Sequence, residues 1–343
     1  MSMPQSADLD PEALARWIAG ALPALGQVEA IEKFAGGQSN PTYRVTTAVG
    51  DIVLRRKPFG PLLPSAHAVD REYRLLSALH PTGFPVPRPI ALCEDEGVIG
   101  AVFYLMEMVE GRTFWNGALP DLPVEARRPH YLSMIDTMAA LHSLDPAAIG
   151  LADFAPPGNY IERQVARWTR QYRAAQTDEV AEVERLIEWL PQTLPAQDRV
   201  SVIHGDYRID NLIYGEDGRV RAVLDWELAT LGDPVADFAY LAMNWAMPCD
   251  GRSGLAGLDL AAEGIPTMEE AVAQYCEGTG REGLPNLNWY FAFNLFRLTG
   301  IVQGIKKRVI DGNASNAGAA AMAERVVPLA KAAWEQARLA GAS

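Results

Sequence analysis

The sequence predicts an α+β chain in two lobes, a β-rich front and a mostly helical back. Three observations carry this. At 343 residues the chain exceeds what one ordinary hydrophobic core organises, so two compact parts are expected. From about Val28 to Met106, short apolar runs are punctuated by Gly and Pro, as strands are. After Gly111 the apolar residues recur at helical spacing.

The elements follow in order. "DPEALARWIAGAL" is an amphipathic helix with Asp10 as N-cap and Pro11 in first position. "VEAIEKF" is a strand, "AGGQSNP" a Gly-containing turn, and "TYRVTTAVGDIVLRR" two strands around a Gly50-Asp51 turn. "AHAVDREYRLLSAL" is a helix, "PTGFPVPRPI" an extended connector, and "VIGAVFYLMEMV" a pair of strands bent at Gly100. In the helical part, "RRPHYLSMIDTMAALHSLD" puts Leu132, Ile135, Met138, Ala139 and His142 on one stripe. Two helices are expected between Tyr160 and Leu190. "DPVADFAYLAMNWA" starts with Asp233 as cap and Pro234 in first position, and "LNWYFAFNLFRLTGIVQGIKKRVI" is a long apolar helix in which Gly300 and Gly304 would permit close packing.

Composition excludes some functions. A net charge of −13 leaves no basic face for nucleic acid and is compatible with a neutral or cationic substrate. Three scattered cysteines supply neither a disulfide framework nor a zinc site and suit a reducing compartment. The N-terminus lacks a basic secretory n-region, and no apolar run reaches membrane-spanning length. A cytoplasmic protein is expected, with no nucleic-acid or membrane partner, as monomer or homodimer.

Chemistry concentrates in "HGDYRIDN", His204 to Asn211, followed by "LIYGEDGRVRAVLDWE". The latter reads as a hairpin turning at "GEDGR". Asn211 and Asp225 each lie seven positions from Gly218, so pairing would set them opposite each other, with Asp206 on the loop entering that end. Three oxygen donors so gathered suit Mg²⁺, which usually arrives with a phosphate. On "AHAVDREYRLLSAL", Glu72 shares a stripe with Val69, Leu76 and Leu79, and a carboxylate on an apolar face needs a partner. On the "IVLRRKP" strand Arg55 and Lys57 share one face, where either could neutralise phosphate, with Arg56 opposite. The backbone of Gly36, Gly37, Ser39 and Asn40 suits a loop closing over phosphates.

His204-Gly205-Asp206, four residues, then Asn211 reproduces the spacing of the kinase catalytic loop, with Gly in place of Arg. Asp225 stands where the kinase metal-binding Asp would be, followed by Trp-Glu. The chain resembles the aminoglycoside phosphotransferase and choline kinase family, and within it the kinase-like domains fused to acyl-CoA dehydrogenases, where "GGQSN", "LRRKP", "AHAVDREYRLL", "HGDYRIDN" and "DWELATLGDP" recur together. The resemblance runs from about Phe34 to Asn316. It implies a bilobal protein-kinase-like fold with an N-lobe at 1–106, a hinge at 107–111 and a C-lobe at 112–343, the active site lying between lobes.

By the same resemblance the reaction is Mg²⁺-dependent transfer of the γ-phosphoryl group of ATP, or GTP, to a small-molecule hydroxyl. Asp206 would be the base, Asn211 and Asp225 the metal ligands, Arg55 the phosphate-contacting cation in place of the usual Lys, and Glu72 its partner. The backbone of Glu107 and Met108 would meet the adenine, and Arg208 and Glu227 the acceptor. His204 would pack the loop and Asp237 brace it. The acceptor is expected to be a hydroxyacyl-CoA or hydroxy acid, with an aminoglycoside or amino alcohol as the alternative. A nucleotide-binding pseudokinase and a metal-dependent phosphohydrolase are the rivals.

Overall fold

The computed structural model describes residues 9–34, 40–60, 67–156, 158–249, 251–313 and 318–343. In chain order the elements are α1 (Pro11–Ala21), β1 (Val28–Lys33), β2 (Thr42–Thr47), β3 (Gly50–Arg56), α2 (Val69–Leu79), β4 (Pro89–Cys93), β5 (Phe103–Glu107), α3 (Val124–Ser143), α4 (Tyr160–Ala175), α5 (Ala181–Trp189), β6 (Ser201–Ile203), β7 (Leu212–Tyr214), β8 (Val220–Val223), β9 (Thr230–Gly232), α6 (Pro234–Ala242), α7 (Met268–Thr279), α8 (Leu287–Ile310), α9 (Ala319–Ala323) and α10 (Val326–Leu339). No helix among the described residues is long and apolar enough to cross a membrane.

The chain divides into two compact units. The first comprises Met1–Thr113, Ile149–Leu151 and Asp210–Leu228, and the second Phe114–Ala148, Ala152–Ile209 and Ala229–Ser343. The division falls inside the polar motif, between Ile209 and Asp210, so Asp206 belongs to the second unit and Asn211 and Asp225 to the first.

In the first unit an antiparallel five-stranded sheet runs in the order β1-β2-β3-β5-β4. Strand alternation gives it two working faces. Tyr43, Val45, Leu54, Phe103 and Leu105 point to one face, where they bury Leu14 and Ile18 of α1. Full burial of each such side chain contributes about 1.5–3 kcal/mol. Asp10 caps α1 by accepting the N–H groups of Glu12 and Ala13. Arg55 and its cross-strand neighbour Tyr104 point to the other face, toward α2. The β7–β8 hairpin is fastened to this unit by reciprocal 2.8 Å backbone bonds between Arg112 and Tyr214, and by Val223 N–H on Pro85 O. The backbones approach so closely that a Cβ on Gly111 would lie 2.4 Å from Tyr214 O.

The second unit is helical around one small ladder, β6 with β9. α8 packs against α4, α6 and α10, and α3 packs against α7. "NWYFAFNLF" is core, as Trp289 through Phe296 are all buried. Asp233 caps α6, accepting the Val235 N–H at 2.9 Å.

Four local expectations are corrected. The β2–β3 turn is Ala48-Val49, because Thr47 pairs directly with Gly50 and Gly50-Asp51 already belong to the strand. One strand, not two, follows Gly100: residues 98–101 turn, and the Pro-rich connector instead supplies edge strand β4, where a missing N–H is tolerated. α7, α9 and α10 were not anticipated. Gly300 does meet Trp168, with 3.5 Å to a hypothetical Cβ, but Gly304 faces open space, so no close packing requires it.

Two substitutions check this account by urea unfolding. Gly111→Ala is expected to lower the unfolding free energy by about 1–3 kcal/mol, the usual cost of forced overpacking. Gly304→Ala is expected to raise it by roughly 0.5–1 kcal/mol, because a helix-interior Gly is replaced with nothing to collide with.

Candidate active site

The first unit builds its polar cluster around Arg55. Its Nε donates to Glu72 Oε2 at 2.9 Å, its Nη2 donates to Asp225 Oδ1 at 2.7 Å, and Glu227 Oε2 lies 4.0 Å from the same Nη2. One guanidinium thus faces three carboxylates. Burial opposes its charge, but Glu72 and Asp225 outweigh burial and hold it above the usual arginine range. Glu72 is only 3 % exposed, and burial pushes its carboxyl up to about 7 despite Arg55's downward pull. Burial, followed by the negative charge of Glu72, holds the Tyr104 hydroxyl above the usual tyrosine range. Lys57 pairs with Asp70 at 3.0 Å, so of the two same-face cations Arg55 alone joins Glu72. Arg56 turns to the opposite face, where its guanidinium sits 3.8 Å from the Phe59 ring centroid.

Asp225 is set by an unusual backbone. The ladder pairs Leu212 with Val223 and Ile213 with Ala222, so Asn211 stands opposite Leu224, whose N–H donates to Asn211 O at 2.8 Å. The expected Asn211–Asp225 pairing is therefore off by one. The hairpin turns about Asp217, since Tyr214 pairs with Val220, and the bulge between Ile213 and Tyr214 recovers only one of the two places by which a turn centred on Gly218 would differ. Asp225 then takes φ +63°, the left-handed region that non-glycine residues rarely occupy and that recurs at functional sites. Trp226, buried beside it, donates its indole N–H to Val223 O at 2.9 Å.

Asn40 is buried, with Oδ1 3.0 Å from His67 Nδ1 and its carbonyl accepting the Thr42 hydroxyl, which gives it a local tethering role. Gly36, Gly37 and Ser39 lie outside the described residues. Glu107 ends β5 and its N–H donates to Arg88 O; Met108 follows, half-buried.

In the second unit the "HGDYR" loop is held by its backbone. The buried Asp237 carboxylate accepts the His204 N–H and the Gly205 N–H, each at 2.8 Å. His142 Nε2 lies 3.2 Å from the same carboxylate, and the Tyr275 hydroxyl lies 2.7 Å from His142 Nδ1. Burial would push the Asp237 carboxyl up, but the His142 and amide contacts outweigh it and hold it below the usual range. Gly205 has φ +83°, which explains Gly where kinases carry Arg. The Asp206 N–H donates to His204 Nδ1 at 3.2 Å, so His204 packs and braces the loop. Asp206 Oδ1 accepts the Tyr240 hydroxyl at 2.7 Å, with Arg208 Nε 3.6 Å away. Arg297 Nη2 donates to Gly205 O at 2.6 Å.

The sequence reading missed His142, Tyr240, Tyr275 and Arg297. His142 was detectable, being a polar residue on an apolar stripe. Arg297 was too, as the one charge within "WYFAFNLFRLTGIV". Tyr240 lies one turn from Asp237 on α6, but spacing alone does not reveal what it reaches.

For a metal, Asn211 and Asp225 offer an amide oxygen and a carboxylate, hard donors of the type Mg²⁺ takes. No group of three or more His, Cys, Asp and Glu fit to hold a metal occurs among the described residues.

Arg55→Met strands Glu72 as a buried carboxylate without its cation, in reach of the charges of Asp225 and Glu227. The expected cost is about 3–5 kcal/mol of unfolding free energy at pH 8. It should be smaller at pH 6: a carboxyl whose folded-state pKa is raised contributes stability at low pH that is lost as pH rises through that value. Urea unfolding of both proteins at both pH values checks this. An equal cost would show that Glu72 carries no such penalty.

Comparison with known proteins gives the chain's family and fold. The sequence model of a phosphotransferase enzyme family matches residues 30–275. Acyl-CoA dehydrogenase family member 10 of Mus musculus is 43% identical over 340 residues, covering 98% of this chain and 31% of that protein. Family member 11 of Homo sapiens is 40% identical over 304 residues, covering 88% of this chain and 39% of that one. The chain thus spans less than half the length of these relatives. Among solved structures, a Ralstonia eutropha protein assigned as an aminoglycoside phosphotransferase superposes with TM-score 0.89 at 44% identity, covering 96% of this chain and 99% of that one. The phosphotransferase APH(4)-Ia, solved with AMP-PNP and hygromycin B, superposes with TM-score 0.62 at 14% identity over 94% of this chain and 98% of its own, a likeness of fold. The fold is the protein-kinase-like fold of the aminoglycoside phosphotransferases, and the chain belongs to the phosphotransferase enzyme family.

Proposed function

We propose that the chain moves the γ-phosphoryl group of ATP, or GTP, to the hydroxyl of a small molecule with Mg²⁺ bound. The observation that carries this is the Arg55 fork, which holds the α2 carboxylate Glu72 and the expected metal ligand Asp225 at once. Phosphoryl transfer needs such positioning and charge placement more than covalent chemistry by the protein.

Each residue has a derivable task. Asn211 and Asp225 hold the metal. When bound, Mg²⁺ neutralises charge on the β- and γ-phosphates. Arg55 adds a permanently charged fork toward phosphate oxygens, anchored by Glu72 so that it does not collapse onto Asp225 alone. Asp206 orients the acceptor hydroxyl and takes its proton as the oxygen attacks phosphorus. Asp237 and Arg297 hold the loop that carries Asp206. The Glu107 N–H is already given to Arg88, so the adenine meets the Glu107 carbonyl and the Met108 backbone. Solution of APH(4)-Ia with AMP-PNP supports adenine nucleotide as the donor.

For the acceptor we infer a hydroxyacyl-CoA or related hydroxy acid, contacted by Arg208 and Glu227. High identity to acyl-CoA dehydrogenase family members along nearly this whole chain supports it. Likeness to antibiotic phosphotransferases at 13–16% identity is one of fold and does not carry their substrates over. Three free cysteines support a reducing, cytoplasmic setting.

The test incubates the protein with MgATP and a panel of hydroxyacyl-CoAs, hydroxy acids and aminoglycosides, scanning by mass for an added phosphoryl group. A phosphorylated hydroxyacyl-CoA or hydroxy acid is expected, and Asp206→Ala should slow its formation about 10²–10⁴-fold. Phosphate released to water whatever acceptor is added would point to a phosphohydrolase. Nucleotide bound with no transfer would point to a regulatory pseudokinase.

A further inference from the structure

Tyr240 is a buried tyrosine whose hydroxyl goes to a partly exposed carboxylate. Two other buried tyrosines in this unit place their hydroxyls on backbone, Tyr207 on Met134 O at 2.8 Å and Tyr131 on Gly117 O at 2.6 Å, and Tyr290 donates to the buried Asp233 carboxylate that caps α6. Tyr240 instead donates to Asp206 Oδ1 at 2.7 Å, the short distance of a charge-assisted O–H···O bond. It lies three residues after Asp237, so one face of α6 holds the loop twice. Asp237 takes the backbone of His204 and Gly205, and Tyr240 takes the side chain of Asp206.

Arg297 completes the arrangement from α8. Its guanidinium is 5.0 Å from the Tyr240 ring centroid and 5.6 Å from that of Trp168, and it donates to Gly205 O. A cation on the ring face is attracted by the π-system and draws electron density from it, which makes the phenol a better donor. Burial, followed by the negative charge of Asp206, holds the Tyr240 hydroxyl above the usual tyrosine range, so it keeps its proton and remains a donor.

We propose that Tyr240 is a positioning residue for phosphoryl transfer: its hydroxyl fixes the plane of the Asp206 carboxylate, and Arg297 fixes the tyrosine and the loop together. This rests on the reading of Asp206 as the base. Tyr240 acts only through Asp206 and touches no reacting atom. A carboxylate whose plane is fixed directs its lone pairs in a defined direction, and misdirection by about 1 Å can cost on the order of 10²-fold in rate.

The test is a double-mutant cycle on the full chain, with MgATP as substrate, water as acceptor and ADP release as readout. Tyr240→Phe, which removes one oxygen atom, is expected to lower kcat about 10–100-fold and leave KM for MgATP unchanged. In the Asp206→Asn background the same change should cost nothing further. Placing 4-aminophenylalanine at position 240 restores a donor and should recover much of the rate, which separates a lost hydrogen bond from a damaged fold. Equal losses in both backgrounds, or a raised KM with kcat intact, would overturn the proposal. Asp206→Asn turning over at the wild-type rate would instead remove the phosphotransfer reading, and this proposal with it. A slow Asp206→Asn beside an unimpaired Tyr240→Phe removes this proposal alone.

Discussion

A guanidinium held between two carboxylates organises the first unit. Arg55 reaches Glu72 on α2 with one nitrogen and Asp225 beyond β8 with another, so sheet, helix and hairpin meet at one side chain. A buried ion pair is poor evidence for stability, since apolar residues of similar volume often serve as well. Its presence beside a third carboxylate on Glu227 makes sense if the surplus negative charge is to be met by a cation and a nucleotide's phosphates turn toward the fork. Arginine suits the position because it does not lose its proton when buried, and because it can hold two oxygens in one plane.

The second unit solves a different problem, which is to hold a loop rich in backbone N–H groups away from water. Asp237 accepts two of these, and His142 and Tyr275 hold Asp237 in turn. Buried polar groups must be satisfied, and a chain of hydrogen bonds satisfied throughout is rigid. Rigidity matters here because Asp206 rides on that loop. Gly205 allows the chain to turn where a side chain would be strained, and its carbonyl is taken by Arg297.

Much of this was legible in the sequence because it depends on local rules. Strand alternation put Arg55 and Arg56 on opposite faces, and the helical stripe required a partner for Glu72. Asp10 and Asp233, each marked by a Pro in first position, cap helices by accepting first-turn N–H groups. What failed needed information that is not local. The turn centres on Asp217 and not on Gly218, and a bulge that no residue announces makes up only half the difference, which leaves Asp225 one place past its expected partner. β4 was hidden by prolines that an edge strand tolerates. Lys57 was as good a candidate as Arg55 until Asp70 was seen to claim it. Tyr240 and Arg297 act across elements far apart in sequence, and only the fold reveals what they touch.

The most direct measurement is anomalous scattering from crystals grown with Mn²⁺ and a non-hydrolysable ATP analogue. The account predicts a manganese peak coordinated by the Asn211 side-chain oxygen, the Asp225 carboxylate and phosphate oxygens, with Arg55 still bound to Glu72 and turned toward phosphate. A nucleotide bound with its metal away from both residues, or Asp225 remaining closed on Arg55 with no metal beside it, would contradict it.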